Sequence, residues 1–378
     1  MGGGSKVIAF YLPQYHPTPD NERWWGKGFT EWTNVAKAKP LFRGHYQPKI
    51  PADLGFYDLR LSEIREAQAE LAREAGIYGF CYYHYWFGNG KQELELPFNE
   101  VLRTGKPDFP FMLCWANESW HKKFWNKDGV GTSKEILIEQ TYPGEKDIVN
   151  HFYHLLPAFK DPRYIRIYGK PAFMIYMPEN IPSLGQFIKK WEELGMREGL
   201  GGIYFIGHLQ KLNDKQVANS IKLYENNNFN AINLVDHYSV IETFYKEHFF
   251  KHLRNKIERI LLKRPITIDY KNINKRVISK ENKANNVYPT LIPNWDHTPR
   301  SGKNGRVYTN VSPKLFAEQV SYCLDLISDK DDEDKIIFLK SWNEWGEGNY
   351  MEPDLEFGHG FLKALKNSLK RNQAKKIQ

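Results

Sequence analysis

IIFLKSWNEWGEGNYMEPD, residues 336–354, joins a short apolar run to a polar segment that is rich in acids and indoles. The run Ile336–Leu339 has the composition of a buried strand. Directly after it, Glu344 and Glu347 stand three positions apart among tryptophans and glycines. A surface turn does not need tryptophan, and a buried strand has no use for two glutamates. The stretch therefore predicts a strand that ends at a functional cleft.

Seven further apolar runs of strand length precede this one, and helical patterns separate them. In chain order, we predict strands at 6–12, 77–83, 109–115, 171–176, 202–207, 231–235, 288–292 and 336–342. Helices are predicted at 59–75, 97–104, 145–159, 184–194, 214–225, 244–262, 313–327 and 357–371. Continuous apolar strands that alternate with helices indicate a parallel sheet covered on both faces. Eight such units fit a (β/α)₈ TIM barrel in the α/β class.

A doubly wound open sheet is the alternative fold. It predicts a glycine-rich phosphate loop after the first strand. The chain has PQYHP there, at residues 13–17. The barrel is therefore the preferred prediction.

The chain is predicted to form one domain. We expect residues 1–5 to be an added linker, 6–371 a single catalytic barrel with long active-site loops, and 372–378 a basic tail. Residues 246–286 form a basic insertion before the seventh strand, and within it 263–286 are predicted to be a long polar excursion.

The net charge of +8 is concentrated in two segments. Residues 246–283 carry 12 Lys and Arg against 4 Asp and Glu, and residues 363–378 carry 6 Lys and Arg and no acid. The remainder is mildly acidic, which argues against a nucleic-acid partner. The insertion is predicted to be solvated surface or a peripheral contact with a membrane or a lipid-linked glycan.

The three cysteines do not have the spacing of a disulfide framework or of a metal site. The sequence contains neither an apolar stretch of 18 residues nor a basic-then-apolar leader. We therefore expect a cytoplasmic location and no cofactor.

Polar and aromatic side chains recur at the predicted strand ends, where TIM barrels place their chemistry. Indole and phenol rings stack on the C–H faces of sugars, and carboxylates and amides bind sugar hydroxyls, so the partner we expect is an oligosaccharide or polysaccharide. Glu31, Asp236 and Asp296 are predicted to bind hydroxyls. The full set of candidate substrate-binding residues is Tyr11, Gln14, His16, Trp32, Tyr83, His84, Trp86, Trp115, Asn117, Glu118, Tyr176, Asp236, Trp295, Asn343 and Trp345.

Glu344 and Glu347 are the candidate catalytic pair. Chemistry at a glycosidic bond needs one carboxyl group that donates a proton and a second that acts as base or nucleophile. A helical turn after Trp342 places positions three apart on one face. Burial near indoles is expected to raise the pKa of one acid and keep it protonated.

Other interpretations of these residues stay open. Glu118 follows Asn117 at a strand end, as in many barrel glycosidases, so a Glu118–Glu344 pair is an alternative. Both acids of the 344–347 pair could instead cap a helix or bind a lysine. A metal site built from His208, His237 and His297 is a weaker alternative, because no HxH or HExxH pair supports it.

Five motifs together resemble a known family. They are AFYLPQYHP (9–17), GFTEWTNV (28–35), YGFCYYHYWF (78–87), FMLCWANESW (111–120) and SWNEWGEGNYMEPD (341–354). The chain resembles the WbsX-like proteins of bacterial polysaccharide gene clusters, often described as glycosyltransferases. These in turn are similar to glycoside hydrolase family 99, the endo-α-1,2-mannosidases.

The resemblance implies roles for the two acids. The last motif of family 99 is close to Asn-Glu-Trp-His-Glu-Gly, and its glutamates are the catalytic pair. Carried over, Glu344 is the base that deprotonates the sugar 2-hydroxyl, and Glu347 is the acid/base that protonates the leaving oxygen. The implied intermediate is a 1,2-anhydro sugar. Gly346 replaces the histidine of that motif, so mannose specificity does not carry over.

Three functions follow as hypotheses. The first is a retaining, endo-acting glycoside hydrolase on a bacterial polysaccharide or mannan-like glycan. The second is a glycosyltransferase or transglycosylase of surface polysaccharide biosynthesis, such as O-antigen or capsule. The third is a carbohydrate-binding barrel without catalysis. Transfer from a sugar nucleotide needs a diphosphate site, which the strand-end residues do not supply.

Overall fold

The structure, a computed structural model, describes residues 4–126 and 129–377, of which 122–126, 129–134, 376 and 377 are described by their backbone alone. In this part of the chain eight parallel strands form a closed barrel. They are β1 Lys6–Tyr11, β2 Gly79–Trp86, β3 Phe111–Trp115, β4 Lys170–Ile175, β5 Tyr204–Gln210, β6 Ala231–Val235, β7 Val287–Leu291 and β8 Ile336–Leu339. Each strand pairs with its neighbours in chain order, and β1 pairs with both β2 and β8. The predicted TIM barrel is confirmed.

Helices cover the outside of the barrel, except that the two short helices of the loop after β1, Pro19–Trp25 and Glu31–Ala36, lie at the C-terminal ends of the strands. In chain order, the α-helices of six or more residues in the described ranges are Pro19–Trp25, Glu31–Ala36, Ser62–Ala75, Leu96–Thr104, Glu145–Lys160, Leu184–Arg197, Asp214–Asn226, Tyr238–Glu247, Phe249–Leu261, Pro313–Leu326 and Gly360–Ile377. The last of these runs through the boundary predicted at residue 371. Ser62–Ala75 shows how such a helix ends, since Gly76 takes the left-handed conformation and its N–H bonds back to the carbonyl oxygens of Ala72 and Arg73.

Aromatic rings fill the inside of the barrel. Phe10 of β1 stacks on Tyr83 of β2 and on Phe338 of β8, each with ring centroids 5.5 Å apart. The strands are apolar on both faces because one face packs on this interior and the other on the helices. This packing closes the barrel below the C-terminal strand ends.

The insertion differs from its prediction in two ways. The helix predicted at 244–262 is two helices, which meet at His248. The stretch predicted as a polar excursion contains the strand Ile266–Asp269, which pairs in parallel with Arg306–Thr309. Apolar residues dispersed among the charges explain this, since Tyr270 is fully buried and its hydroxyl donates to the Ile292 carbonyl oxygen at 2.6 Å.

A two-stranded antiparallel hairpin, Trp120–Asn126 with Gly129–Ile138, extends from the end of β3. The hairpin is not among the elements that the sequence patterns predict. In the described ranges, no helix has the combination of length and apolar character that crossing a membrane requires.

Candidate active site

A cavity of about 400 Å³ lies at the C-terminal ends of the strands. Among the described residues, its wall combines carboxylates, aromatic rings and the two cations Arg300 and Lys340. The residues that line it include Gln14, Trp25, Phe29, Glu31, Asn34, Tyr83, Tyr85, Glu118, Trp120, Tyr176, Arg300, Lys340, Glu344 and Glu347.

The two acids of the last motif both reach this cavity. Asn343 and Glu344 form a short antiparallel pair with Asn349 and Tyr350. Between them a 3₁₀ turn covers Trp345–Glu347. Three residues per turn place positions i and i+3 one above the other, so the turn directs Glu344 and Glu347 to the same side.

Arg300 holds the two acids together. Its Nη1 donates to Oε1 of Glu347 at 2.5 Å and to Oε1 of Glu344 at 3.1 Å. Its Nε donates to Oε1 of Glu31 at 2.8 Å. One guanidinium therefore bridges two buried carboxylates, Glu31 and Glu344, and the half-buried carboxylate of Glu347, and it fixes both acids of the pair within reach of one nitrogen atom.

The pKa values of the acid pair are shifted in opposite directions. Burial and the neighbouring charge of Glu347 raise the pKa of Glu344. Burial acts to raise the pKa of Glu347 as well, but Arg300, with His297 and Lys340, overrides it and holds that pKa well below its usual range. Oε2 of Glu344 has no hydrogen-bond partner among the described residues. Glu344 is therefore the acid that more readily holds a proton in the free protein.

Lys340, a further cation of the described wall, directly follows β8 and its side chain is buried. Burial acts to lower its pKa, but the nearby Tyr176, Glu344 and Glu347 raise the pKa above its usual value. Lys340 is therefore charged, and it partly offsets the negative charge of the acid pair.

The loop that carries the acids is fixed from below. The Asn343 side chain accepts a hydrogen bond from the Leu12 N–H at 2.8 Å and donates to the Leu12 carbonyl at 3.0 Å. The Trp345 ring stacks on Tyr350 at 3.7 Å, and its Nε1 donates to Glu352 at 2.6 Å. Asn343 and Trp345 thus position the acids instead of lining the cavity.

Gly346, between the acids, leaves no room for a side chain. A Cβ atom added there would lie 1.7 Å from Oε1 of Glu31 and 3.0 Å from Nε of Arg300. Gly348 follows in the left-handed conformation, and a Cβ there would lie 2.6 Å from the Cβ of Asp296. The two glycines let the chain turn against the Glu31–Arg300 pair and the loop after β7.

The structure brings some of the predicted substrate-binding residues to the cavity and not others. Those that line it are Gln14, Tyr83, Glu118 and Tyr176, together with the acid pair and Glu31. Those that do not line it are Tyr11, His16, Trp32, His84, Trp86, Trp115, Asn117, Asp236, Trp295, Asn343 and Trp345. For this second group a substrate contact stays a prediction, and the structure gives their side chains other contacts.

Strand alternation accounts for several of these positions. In β2, Tyr83 and Tyr85 point into the cavity, so the residues between and after them point outward. His84 contacts His151 at 2.9 Å, and the Trp86 ring stacks on His151 at 4.6 Å.

Two further residues at the ends of their strands also face outward. Tyr11 donates to Gln68 of the helix Ser62–Ala75 at 2.6 Å. The Trp115 ring packs on Phe187 of the helix Leu184–Arg197 at 5.4 Å. Both side chains belong to the layer between barrel and helices.

The other residues of this group are bonded within the loops. His16 contacts the Pro13 carbonyl oxygen at 3.0 Å, Trp32 donates to the Tyr57 carbonyl at 2.8 Å, and Asn117 donates to the Met177 carbonyl at 2.8 Å. Asp236 accepts from the Ser239 hydroxyl. Trp295 lines a neighbouring cavity with His297 and Arg306.

Asp296, predicted to bind hydroxyls, is fully engaged. It accepts hydrogen bonds from His45 at 2.8 Å, from Gln47 at 2.6 Å, and from the Thr298 hydroxyl at 2.6 Å. Burial acts to raise its pKa, but these partners hold it below its usual value. Asp296 fastens the Arg300 loop to the segment around residue 45.

The histidines of the metal alternative have separate side-chain partners. His208 contacts Asn233, His237 contacts Tyr308, and His297 contacts Ser301. Within residues 4–126 and 129–377, no group of three His, Cys, Asp or Glu side chains is arranged to hold a metal ion.

Two residues of the cavity, Arg300 and Lys340, are not among the site residues predicted from the sequence. Lys340 had a signal, because it interrupts the apolar run of the last strand. Arg300 had none, since its partners Glu31 and Glu344 are 269 and 44 positions away.

Comparison with known proteins relates this chain to a family. The sequence profile of the family described as glycosyltransferase WbsX matches residues 7–365. Two proteins called uncharacterized protein WxcX, from two strains of Xanthomonas campestris pv. campestris, are each 32% identical to the chain. The match covers 97% of this chain and 50% of theirs, so the chain spans about half the length of these relatives.

Solved structures share the fold. A glycoside hydrolase-like protein superposes with a TM-score of 0.60 at 16% identity, and covers 97% of this chain and 94% of its own. A glycoside hydrolase family 99 endo-α-mannosidase from Bacteroides thetaiotaomicron superposes with a TM-score of 0.56 at 15% identity, with 98% of both chains covered. At this identity the likeness concerns the barrel architecture.

Proposed function

Because the chain belongs to the WbsX glycosyltransferase family, a family of carbohydrate-active enzymes, we propose that it acts on a glycosidic bond with Glu344 and Glu347 as its acid pair. The observation that carries the proposal is the contact of one Arg300 nitrogen with both carboxylates in the wall of the cavity. Aromatic rings of Trp25, Phe29 and Trp120 line the same cavity and suit the apolar faces of a sugar.

The proposed substrate is an oligosaccharide or a polysaccharide, bound in an endo-acting mode. The carboxylates of Glu31, Glu118, Glu344 and Glu347 outnumber the cations in the described wall, and Arg300 is bonded to three of them. A sugar-nucleotide diphosphate carries negative charge, which this wall disfavours. Neutral glycans on both sides of the reaction fit it better.

The proposed reaction proceeds with retention in two steps. One carboxylate takes the proton of the 2-hydroxyl, whose oxygen attacks the anomeric carbon, while the other carboxyl group protonates the leaving oxygen. The 1,2-anhydro sugar is then opened at the anomeric carbon by water or by an alcohol, which loses its proton to the second carboxylate, while the first carboxyl group returns its proton to the 2-oxygen as the bond from that oxygen to the anomeric carbon breaks. Water gives hydrolysis, and a sugar hydroxyl gives transfer.

The family resemblance makes Glu344 the base and Glu347 the proton donor. The pKa directions in the free protein favour the reverse order, because Arg300 keeps Glu347 ionised. The proposal follows the resemblance, with Glu344 as the base and Glu347 as the proton donor, and it carries one condition. Glu347 must lose its contact with Arg300 when substrate binds before it can donate a proton.

Hydrolysis is the first candidate and transfer between glycans is the second. The description of the family as glycosyltransferases supports transfer between glycans. Transfer would place the protein in the assembly of a surface polysaccharide, and a cytoplasmic location remains part of that proposal.

The experiment is a screen of bacterial polysaccharides and mannan-like glycans, with and without nucleotide sugars, and product analysis by mass spectrometry. New reducing ends indicate hydrolysis, elongated glycans indicate transfer, and release of nucleotide overturns the glycan-to-glycan scheme.

Three matched variants test the acid pair. Glu344→Gln and Glu347→Gln are expected to lower turnover by about 10³-fold or more while glycan binding persists. Glu118 lines the same cavity, and Glu118→Gln is expected to keep turnover within about 10-fold of that of the parent protein. Equal losses in all three variants, or full activity of both pair variants, would refute the assignment.

A further inference from the structure

The helix Phe249–Leu261 presents apolar side chains to solvent. Phe250 is 84% exposed, Leu261 73% and Ile260 66%. No residue of this helix is buried. Surface helices of globular proteins usually bury their apolar stripe, so this arrangement needs an explanation.

The apolar residues form a single stripe. Phe250, Leu253, Ile257, Ile260 and Leu261 follow one another at intervals of three, four, three and one, which places them on one side of an α-helix.

The opposite side of the helix faces the protein. Nδ2 of Asn255 donates to the Tyr245 hydroxyl at 3.0 Å, and its Oδ1 accepts from the Thr267 N–H at 3.3 Å. Asn255 and Glu258 are the half-buried residues of the helix. The polar side is thus docked and the apolar stripe points outward.

Basic residues flank the stripe. Arg254 and Lys256 border the stripe on its two sides, Lys251 and Arg259 lie farther round the helix toward the protein, and Lys263 and Arg264 follow the helix. Glu258 is the only acid of the helix, and it pairs with Arg254. Long basic side chains can extend along an apolar surface toward phosphate groups while their stems remain in contact with it.

A further basic surface lies behind the helix. A cavity of about 290 Å³ is lined by Arg259 of the helix and by Arg306 and His297 of the loop after β7. Its described lining contains no acidic residue. Positive charge therefore continues from the helix toward the mouth of the barrel.

We propose that Phe249–Leu261 lies in the plane of an anionic phospholipid membrane, with its apolar stripe among the acyl chains and its cations at the lipid phosphates. An outward apolar stripe bordered by Lys and Arg is the pattern of interfacial helices. Charge complementarity selects this partner over a second copy of the chain, because symmetric pairing on the stripe would set like charges against each other.

The helix is connected to the active-site side of the barrel. Through Asn255 it is bonded to Thr267 in the strand Ile266–Asp269, which pairs with Arg306–Thr309. The carbonyl of Arg306 accepts from the N–H of His297, whose ring lies 3.4 Å from Glu347. A membrane at the helix would therefore lie near the strand ends where the cavity opens. If the proposed function holds, this favours a lipid-linked glycan as substrate, whereas the membrane contact itself does not depend on that function.

The test is co-sedimentation of the full chain with vesicles. Vesicles that contain phosphatidylglycerol are expected to bind the protein at least about 10-fold more tightly than pure phosphatidylcholine vesicles, and added salt is expected to weaken the binding. Equal binding to both vesicle types, or no binding to either, overturns the proposal.

Variants assign the binding to the helix. Phe250→Ser, Ile257→Ser and Ile260→Ser together are expected to reduce vesicle binding about 10-fold or more, and so is Lys256→Gln with Lys263→Gln. An apolar control, Met196→Ser with Leu355→Ser, changes side chains 65% and 63% exposed elsewhere and is expected to bind normally. A basic control in the C-terminal helix, Lys370→Gln with Lys375→Gln, is also expected to bind normally.

Two further measurements make the result decisive. The melting temperature and the turnover on a soluble oligosaccharide are expected to be unchanged in the helix variants. If the triple variant is unstable, the single variant Phe250→Glu replaces it in the vesicle assay. If light scattering shows a dimer that the stripe variants abolish, and vesicles bind neither form, the stripe is a contact between copies and the proposal fails.

Discussion

Gly346 lies directly against Glu31: a Cβ atom at position 346 would be 1.7 Å from the carboxylate oxygen that Arg300 binds. The absence of a side chain therefore makes room for the Glu31–Arg300 pair beside the two acids. In the family 99 motif that the chain resembles, histidine takes this position. A histidine here would displace Glu31 or Arg300, so the departure from the motif and the arginine bridge belong together.

The first prediction concerns this contact. Gly346→Ala is expected to lower the free energy of unfolding by about 1–3 kcal/mol and to reduce turnover, because the methyl group displaces Glu31 and loosens Arg300. Thermal and denaturant unfolding measure the first effect. Gly185→Ala is the control and is expected to cost less, because the position is helical and exposed and the added Cβ would meet only the end of the Asn227 side chain, at 2.8 Å.

A double-mutant cycle tests the cause. In the Glu31→Ala background the 1.7 Å contact is removed and the nearest atom recorded beside the added methyl group is Nε of Arg300 at 3.0 Å, so Gly346→Ala is expected to cost much less there. Additive effects would mean that the two residues do not interact as described.

The second prediction concerns pH. Arg300 lowers the pKa of Glu347, so Arg300→Gln is expected to raise that pKa. The limb of the pH profile of kcat/KM that reports Glu347 should therefore move to higher pH, alongside a loss of turnover. Arg60→Gln, which removes a surface partner of Asp58, is the control. A limb that stays in place or moves to lower pH would show that Arg300 does not set the ionisation of Glu347.

The third prediction separates the roles of the acids. Fluoride leaves from a glycosyl fluoride without being protonated, so the first step on such a substrate does not need the proton donor. Glu347→Gln is expected to recover about 10²-fold or more of its first-step rate on such a substrate, and Glu344→Gln is expected to recover little. Rapid-quench measurement of fluoride release provides the readout. The reverse pattern would assign proton donation to Glu344, in line with its raised pKa.

The fourth prediction concerns sugar stacking. Trp120 lines the cavity, and Trp120→Ala is expected to raise KM about 10-fold, which corresponds to about 1.4 kcal/mol of binding free energy. Steady-state kinetics on the glycan found in the screen measures the change. Phe56→Ala alters an aromatic ring that is 54% exposed outside the cavity, and it is expected to leave KM unchanged.

Much of the fold could be predicted from local patterns. The strand predicted at 231–235 matches β6 residue for residue, and the helix predicted at 145–159 differs from Glu145–Lys160 by one position. Apolar runs and helical periodicity are local properties, and a barrel whose strands follow chain order needs little more. The basic insertion was harder, because Tyr270 and Ile273 are buried in a segment whose composition is polar.

The sequence alone also determined that Glu344 and Glu347 share a face, because a spacing of three within a short turn is a local constraint. Only the tertiary structure decided which strand residues reach the cavity. A strand that is buried on both faces shows no alternation of apolar and polar residues. The sequence around Tyr83 and His84 therefore does not indicate that their side chains point in opposite directions. Only the tertiary structure also brought Arg300 between Glu31 and the acid pair, since a contact across 269 positions leaves no local pattern in the chain.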